Sequence, residues 1–321
     1  MFRAVAFLLP LLLLHPTLAR ADTGAATEPT TSQFVWHWDA LVLFNLALLG
    51  SLYYRGLARL RRRSGRGRGV SRGRAVAFFG ALAVVFIALI SPLDALSDAA
   101  ASAHMVQHML LMVVAAPLFV FAMPRLVLTW GIAKPWRAPT GRLRAWFDFP
   151  VLRRPLVPWL LYAAVLWVWH LPAAYEAALV DPLVHDAQHL SFFGVACLYW
   201  QGILTASPRR RLSPLAAVLV LFTTSLHASL LGVFMATSRV AWYGVYSQPT
   251  PWGLTPLEDQ HLAGFIMWMP ACLIYPAVAA ATFGIWLSKL SRGAETPAGT
   301  QATGATPSDR RPERRALRGV R

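Results

Sequence analysis

Seven apolar stretches run along the chain, and short polar segments separate each from the next. Most of them contain the roughly 20 residues that an α-helix needs to cross the hydrocarbon of a bilayer. They cover residues 35–53, 75–91, 104–127, 156–171, 185–205, 215–235 and 262–287. The pattern predicts an all-α fold, a polytopic bundle of seven transmembrane helices. Pro117, Pro270 and Pro276 lie inside these stretches, where a proline should bend its helix.

The segments on either side of the bundle have different compositions. Residues 1–21 resemble a secretory signal peptide, with an early arginine, an apolar core and Ala-Arg-Ala at positions 19–21 as the cleavage site. We expect cleavage rather than an uncleaved anchor, since two prolines and a histidine make this segment a poor spanning helix. Residues 22–34 then form a short periplasmic segment, and residues 35–290 form the seven-helix membrane domain. Residues 291–321 are basic and lack an apolar period, which predicts a disordered cytoplasmic tail that contacts membrane lipid.

Composition also indicates a membrane protein. Charged residues make up only 14% of the 321 residues, whereas soluble globular proteins carry about 25%. The mean hydropathy is +0.48. The net charge of +16 would suggest nucleic-acid binding in a soluble chain, but the arginines occur in blocks between apolar stretches, where they set topology. We therefore expect no nucleic-acid partner. Both cysteines lie inside apolar stretches, which excludes a disulfide scaffold.

The basic residues are divided unequally between alternate loops. The segments 55–74, 131–155 and 209–211, together with the end of the chain from residue 289, hold 26 lysines and arginines. The three intervening loops hold only Arg239. Because basic loops stay on the cytoplasmic side, the N-terminus of the bundle is predicted outside the cytoplasm and the C-terminus inside.

Two histidine-containing segments share the pattern H-x-x-Q-H. His104 to His108 begins the third predicted helix, and His185 to His189 begins the fifth. Residues four apart lie on one helix face, so both imidazoles of a pair can reach one ion. The predicted topology places both pairs on the outer side, and we expect four imidazoles to surround one ion or two closely spaced ions. Imidazole ligands suit zinc, copper, iron or nickel.

Four further residues extend the candidate metal set. Met112 follows His108 by four residues on the same helix face, and a thioether beside imidazoles favours Cu(I). His170 ends the fourth helix and His261 begins the seventh, both on the outer side, while His227 lies a little past mid-depth in the sixth. Each of these four residues could also have a structural role without binding metal. Methionine fills cores, interfacial histidines contact lipid, and a polar ring at the depth of His227 needs a hydrogen-bond partner in any case.

Several of these segments resemble the CtaG family of cytochrome c oxidase assembly proteins, in its seven-helix form. The resemblance extends over residues 36–287, and its most specific part is residues 103–111, which contain the first histidine pair. The other segments that carry it are residues 91–94, 169–172, 185–189 and 259–268. The chain departs from the family at Ala-Ala-Pro in positions 115–117, where paired prolines are expected. That difference should affect a bend rather than the chemistry.

The resemblance implies a non-enzymatic role in the maturation of a haem-copper oxidase in the bacterial inner membrane. It implies a multi-pass metallochaperone that binds copper and passes the ion to an oxidase subunit within the membrane, and the thioether beside the imidazoles favours Cu(I) as its form. A periplasmic copper donor is the expected source of the ion.

Two other functions remain open. A copper transporter would need ligands through the full depth of the membrane, and polar side chains become scarce toward the inner half. A b-type cytochrome would bind haem between one histidine of the first pair and one of the second. The chain has no nucleophile triad, phosphate loop or dinucleotide motif, so no enzymatic activity is expected.

Overall fold

The computed structural model describes residues 35–64, 70–122, 124–137, 156–204 and 212–294, together with Val151 and Arg154. Within these ranges every regular element is a helix, and no strand occurs. The predicted signal peptide, the short periplasmic segment and residues 295–321 of the predicted tail lie outside the described residues.

The helices follow one another with short connections. They are α1 (Ala40–Ser64), α2 (Arg72–Ile90), α3 (Pro92–Ala99), α4 (Ala101–Met109), α5 (Ala116–Phe121), α6 (Pro124–Gly131), α7 (Leu156–Trp169), α8 (Pro172–Val180), α9 (Pro182–Leu204), α10 (Pro214–Thr237) and α11 (Pro256–Ala294). A π-helical segment, Leu110–Ala115, joins α4 to α5, and a 3₁₀ turn, Lys134–Trp136, follows α6.

Five of these helical runs are long and apolar enough to cross a membrane. They are α1, α2, the continuous run Ala101–Phe121, α10 and α11. Helices α7 and α8 together would make a sixth, although the chain bends by 75° between them. Helix α9 is more polar, because the H-x-x-Q-H segment places histidine, glutamine and aspartate in its first half. The described residues thus form an all-helical, multi-pass protein with five to six candidate spans, and the seven-span count remains a prediction.

Some helix boundaries differ from the apolar stretches that predicted them. Helix α1 continues through the arginine-rich segment to Ser64, because this end packs beside α6. Arg59 there donates to the carbonyl oxygen of Gly131 at 3.0 Å, which places a cation at the negative end of the α6 dipole. Helix α7 ends at Trp169, near the end of the fourth stretch, and Pro172 starts the separate helix α8 in a segment predicted to be a loop. Proline is favoured at the first turn of a helix because its missing N–H would lack a partner there anyway.

Three helices begin at the same end of the bundle, which we call the histidine end. Helices α4 and α9 run parallel, since the ring of His104 lies 5.3 Å from that of His185 and both residues occupy the first turn of their helix. Helix α11 also starts here, because the Asp259 carboxylate in its first turn accepts a hydrogen bond from the backbone N–H of Ser102 at 3.3 Å. Helices α4, α9 and α11 therefore point the same way.

Glycines allow close backbone contact between α10 and α11. A Cβ atom at Gly264 would lie 2.5 Å from the carbonyl oxygen of Gly232 and 2.6 Å from the backbone nitrogen of Ala236. A Cβ atom at Gly56 on α1 would lie closer still to the carbonyl oxygen of Val127 on α6. Small residues permit such approach in membrane bundles, where van der Waals contact drives helix association.

The π-helical segment lies directly below the first histidine pair. Its wider turn brings the backbone N–H of Ala116 to the carbonyl oxygen of Leu111, five residues back. Pro117 follows at the start of α5, so the widened turn precedes the point where its missing N–H interrupts the helical ladder. The carbonyl oxygen of Met112 accepts a hydrogen bond from Trp200 Nε1 at 3.0 Å. This bond ties α9 to the span that carries His104 and His108.

Replacing Gly264 by alanine should destabilise the protein by about 1–3 kcal/mol, the usual cost of overpacking. The new methyl group would overlap backbone atoms of α10, which cannot move aside as a flexible side chain can. The measurement is thermal unfolding of the purified protein in detergent. Gly284→Ala on the same helix is the matched control, because nothing lies within 4 Å of a Cβ built there. Equal unfolding temperatures for the two variants would contradict this account of the crossing.

Candidate metal centre

The two H-x-x-Q-H segments meet at the histidine end. Within each pair the ring centroids are 4.3 Å apart, both for His104 and His108 and for His185 and His189. Between the pairs, His104 lies 5.3 Å from His185, and His108 lies 5.4 Å from His189. The parallel course of α4 and α9 keeps the two pairs in register. We call these four residues the histidine cluster.

Three members of the cluster have the geometry of a metal site. Candidate ligand atoms of His104, His108 and His189 all lie within 4.8 Å of one another, and these residues are 0%, 1% and 7% exposed. Two nitrogens bound to the same ion are at most about 4 Å apart, because metal–imidazole bonds are about 2.0–2.1 Å long. Small side-chain rotations would therefore close the group around an ion.

The hydrogen-bonding of the cluster is incomplete. Both ring nitrogens of His108 and the Nε2 atoms of His185 and His189 have no hydrogen-bond partner among the described residues. Leaving buried polar atoms unpaired is unfavourable. A bound metal ion would use the lone pairs of neutral rings, so the donor set fits an ion that prefers imidazole nitrogen.

His170 places a fifth imidazole at the edge of the cluster. Its Nδ1 donates to the carbonyl oxygen of Leu166 at 2.6 Å, so the neutral ring carries its lone pair on Nε2. That Nε2 atom is buried and has no partner in the described part of the chain. The ring centroid lies 6.3 Å from that of His108. His170 is thus held in the tautomer that a metal ligand requires.

Tyrosines close the histidine end above the cluster. The ring of Tyr175, on α8, lies 5.0 Å from that of His104 and stacks on Tyr243 with centroids 3.8 Å apart. Tyr243 belongs to the loop between α10 and α11, and its hydroxyl donates to the carbonyl oxygen of His170 at 3.2 Å. Tyr246 in the same loop donates to the carbonyl oxygen of Ser97 on α3 at 2.8 Å. Together α3, α8 and this loop form a roof, which explains why histidines near helix ends are buried.

The sequence pattern did not predict this roof. Its tyrosines come from two separate segments, and their spacing resembles no motif. The feature that could have drawn attention to them is the loop itself, which places Tyr243 and Tyr246 three residues apart between two apolar helices.

The remaining predicted ligands lie elsewhere or make other contacts. Met112 is fully buried, one turn below His108. His261 has its Nε2 2.8 Å from the carbonyl oxygen of Ser238, so it holds the start of the loop rather than facing the cluster. The ring of His227 packs 6.4 Å from Trp159. Neither His227 nor His261 makes a ring contact with the histidine cluster in the described residues.

Charged groups separate along the bundle axis. At the histidine end, His37 Nδ1 lies 2.9 Å from a carboxylate oxygen of Asp94, and the Glu176 carboxylate accepts from the N–H of Gly244 at 2.6 Å. Arg59 lies about 29 Å from the start of α1, at 1.5 Å per residue. The guanidinium groups of α1 are therefore at the opposite end from the imidazoles.

Comparison of the sequence with known proteins assigns the chain to a family. The sequence model of the family described as cytochrome c oxidase caa3 assembly factor matches residues 51–289, which include the whole cluster. Uncharacterized proteins of Mycobacterium bovis and Mycobacterium tuberculosis are each 26% identical over 268 residues, or 79% of this chain and 38% of the relative. One from Mycobacterium leprae is 26% identical over 266 residues, or 77% of this chain and 39% of the relative. The chain spans less than half the length of these curated relatives, and no solved structure matches it.

Proposed function

This chain belongs to the cytochrome c oxidase caa3 assembly factor family, and from that premise we propose that it binds copper at the histidine cluster and delivers it to a haem-copper oxidase subunit. One observation carries the proposal: His104, His108 and His189 bring buried ligand atoms within 4.8 Å of one another. Copper is the cargo of the protein, and no catalytic step is needed. A periplasmic donor would supply the ion at the histidine end.

The donor set favours copper over most other ions. The three-residue group consists of histidines alone, whereas calcium and magnesium need oxygen ligands. Imidazole suits zinc and copper, and a thioether shifts the preference toward Cu(I). Met112 supplies a thioether four residues beyond His108, and its complete burial keeps it available to an ion inside the bundle rather than to solvent.

Haem fits this site less well than a bare ion. The rings of His104 and His189 are 5.8 Å apart, but His108 and His185 pack against them at 4.3 Å. A porphyrin between α4 and α9 would have to displace these two rings. An ultraviolet–visible spectrum without a Soret band would agree with this argument.

Copper transport across the membrane is also a less favoured function than copper delivery. Below the cluster α9 buries Phe192, Cys197 and Trp200, which are largely apolar. Two deeper hydroxyl groups are already paired, since Tyr162 and Tyr275 hydrogen-bond each other at 2.6 Å. These contacts offer no continuous series of ligands to the opposite end.

We propose that the histidine end faces the outer compartment and that α9 is the fifth of seven spans. The parallel start of α4 and α9 supports an even number of crossings between them, and the arginines of α1 lie at the other end. Reporter fusions after Ala99 and after Asp181 should read as periplasmic, and fusions after Gly67 and after Arg210 as cytoplasmic. A cytoplasmic reading after Asp181 would put the two histidine pairs on opposite sides and contradict the arrangement.

The purified protein should bind Cu(I) in competition with a chromophoric chelator, and His108→Ala with His189→Ala should weaken binding at least about 10- to 100-fold. The physical reason is the loss of two of the three converging ligands. His261→Ala is the matched control, because this ring contacts Ser238 and not the cluster. Wild-type affinity in the double variant would refute the shared site, and tighter binding of Zn²⁺ than of Cu(I) would assign the site to another metal.

The proposed copper delivery is tested on the oxidase that would receive the copper. An oxidase made without this protein should keep its subunits but lack copper at its buried centre, and added copper should partly restore turnover, since mass action can replace a carrier. A variant with all four cluster histidines changed to alanine should behave like the deletion, while Arg61→Ala should not. Metal content and turnover of the purified oxidase from each strain are the measurements. Normal oxidase copper in the four-histidine variant would refute delivery.

A further inference from the structure

The glutamines of the two H-x-x-Q-H segments contact different groups. Gln188 reaches from α9 to α4, where its Oε1 lies 3.2 Å from Nε2 of His104. Gln107 holds the same position in the first segment, but its amide nitrogen donates to the carbonyl oxygen of Ala88 at 2.8 Å and to the carboxylate of Asp94 at 2.9 Å. Both glutamines are fully buried. Only one of the two therefore bonds to an imidazole of the cluster.

We propose that Gln188 is a positioning residue that holds His104 in the tautomer able to bind copper. An amide oxygen can only accept a hydrogen bond, so Nε2 of His104 must carry the ring proton. A neutral imidazole has one free lone pair, which is then on Nδ1. Hydrogen-bond acceptors behind a metal-binding histidine fix the ring and raise its basicity. The inference rests on the proposed copper site and assigns Gln188 a role in it.

The opposite orientation of the amide would have the opposite effect. Turning Gln188 over would place its NH₂ group against Nε2 of His104, so the ring proton would move to Nδ1. Both nitrogens would then be occupied and His104 could not bind an ion. In the orientation found, the amide nitrogen of Gln188 is buried without a partner among the described residues. An unpaired buried donor is unfavourable, and since either orientation bonds to His104, what this orientation provides is the free lone pair on Nδ1.

The backbone around Gln188 is also fixed. Ser191 donates from its hydroxyl to the carbonyl oxygen of Gln188 at 2.8 Å, and Trp169 Nε1 donates to that hydroxyl oxygen at 2.8 Å. This chain of bonds links the turn that carries Gln188 to the end of α7, close to His170. The glutamine side chain therefore starts from a restrained position.

The first test needs no metal. In the full chain labelled with ¹⁵N in the histidine rings, nuclear magnetic resonance should show His104 protonated on Nε2, with His104→Ala identifying the signal. Gln188→Leu should remove this preference, because leucine offers no acceptor. Gln188→Glu should keep it, because a carboxyl oxygen also accepts, and Gln107→Leu should keep it as the control from the matching position. An unchanged His104 signal in Gln188→Leu would overturn the inference.

The second test measures Cu(I) affinity by chelator competition in the same proteins. Gln188→Leu should bind about 10- to 100-fold more weakly than wild type, while Gln188→Glu and Gln107→Leu should stay near the wild-type value. Wild-type affinity in Gln188→Leu would overturn the positioning role and leave the copper site intact. Failure of the wild-type protein itself to bind Cu(I) would instead remove the proposed function. If Gln188→Leu does not fold, loss of affinity in a folded Gln188→Glu protein decides against the role.

Discussion

An imidazole inside an apolar bundle needs a partner for each ring nitrogen, because water is not available to provide one. In the described residues, His108 has no partner at either nitrogen, and His170, His185 and His189 each lack one at Nε2. Hydrogen-bonding groups nearby are few, and those present serve one side of His104 and one side of His170. A metal ion can occupy several lone pairs at once. The concentration of unpaired, converging nitrogens therefore supports a binding role more strongly than the number of histidines does.

The surrounding fold keeps those nitrogens together and away from solvent. Gly264 brings α11 against α10, and the start of α11 is bonded through Asp259 to the start of α4. The Trp200 bond to the π-helical carbonyl of Met112 joins α9 to the same span. The tyrosine roof then covers the open end. Each of these contacts involves backbone atoms, which move less easily than side chains, so the relative height of the two histidine pairs is set by the framework and not by the imidazoles.

Local spacing predicted which side chains share a helix face but not which helices meet. The i, i+4 pattern placed His104 beside His108 and His185 beside His189, and the positive-inside pattern placed both pairs at one end. The family resemblance is confirmed by the match over residues 51–289, whereas the seven-span count and the bound metal remain predictions. The sequence could not show that His261 turns toward Ser238, because that contact depends on the course of a loop. The roof was missed for the same reason.

The proposed delivery role also requires release of the copper, and the composition of the site bears on this requirement. Thiolates are the soft ligands that hold Cu(I) most firmly, and a site built on imidazole binds it less selectively. The nearest cysteine on the same helix is Cys197, eight residues beyond His189 and buried, or about 12 Å along the helix at 1.5 Å per residue. Thiolate is thus kept away from the convergent nitrogens. Under the proposed function, imidazoles enclosed by the roof would retain the ion through burial rather than through ligand softness, and a partner with thiolate ligands would bind it more firmly.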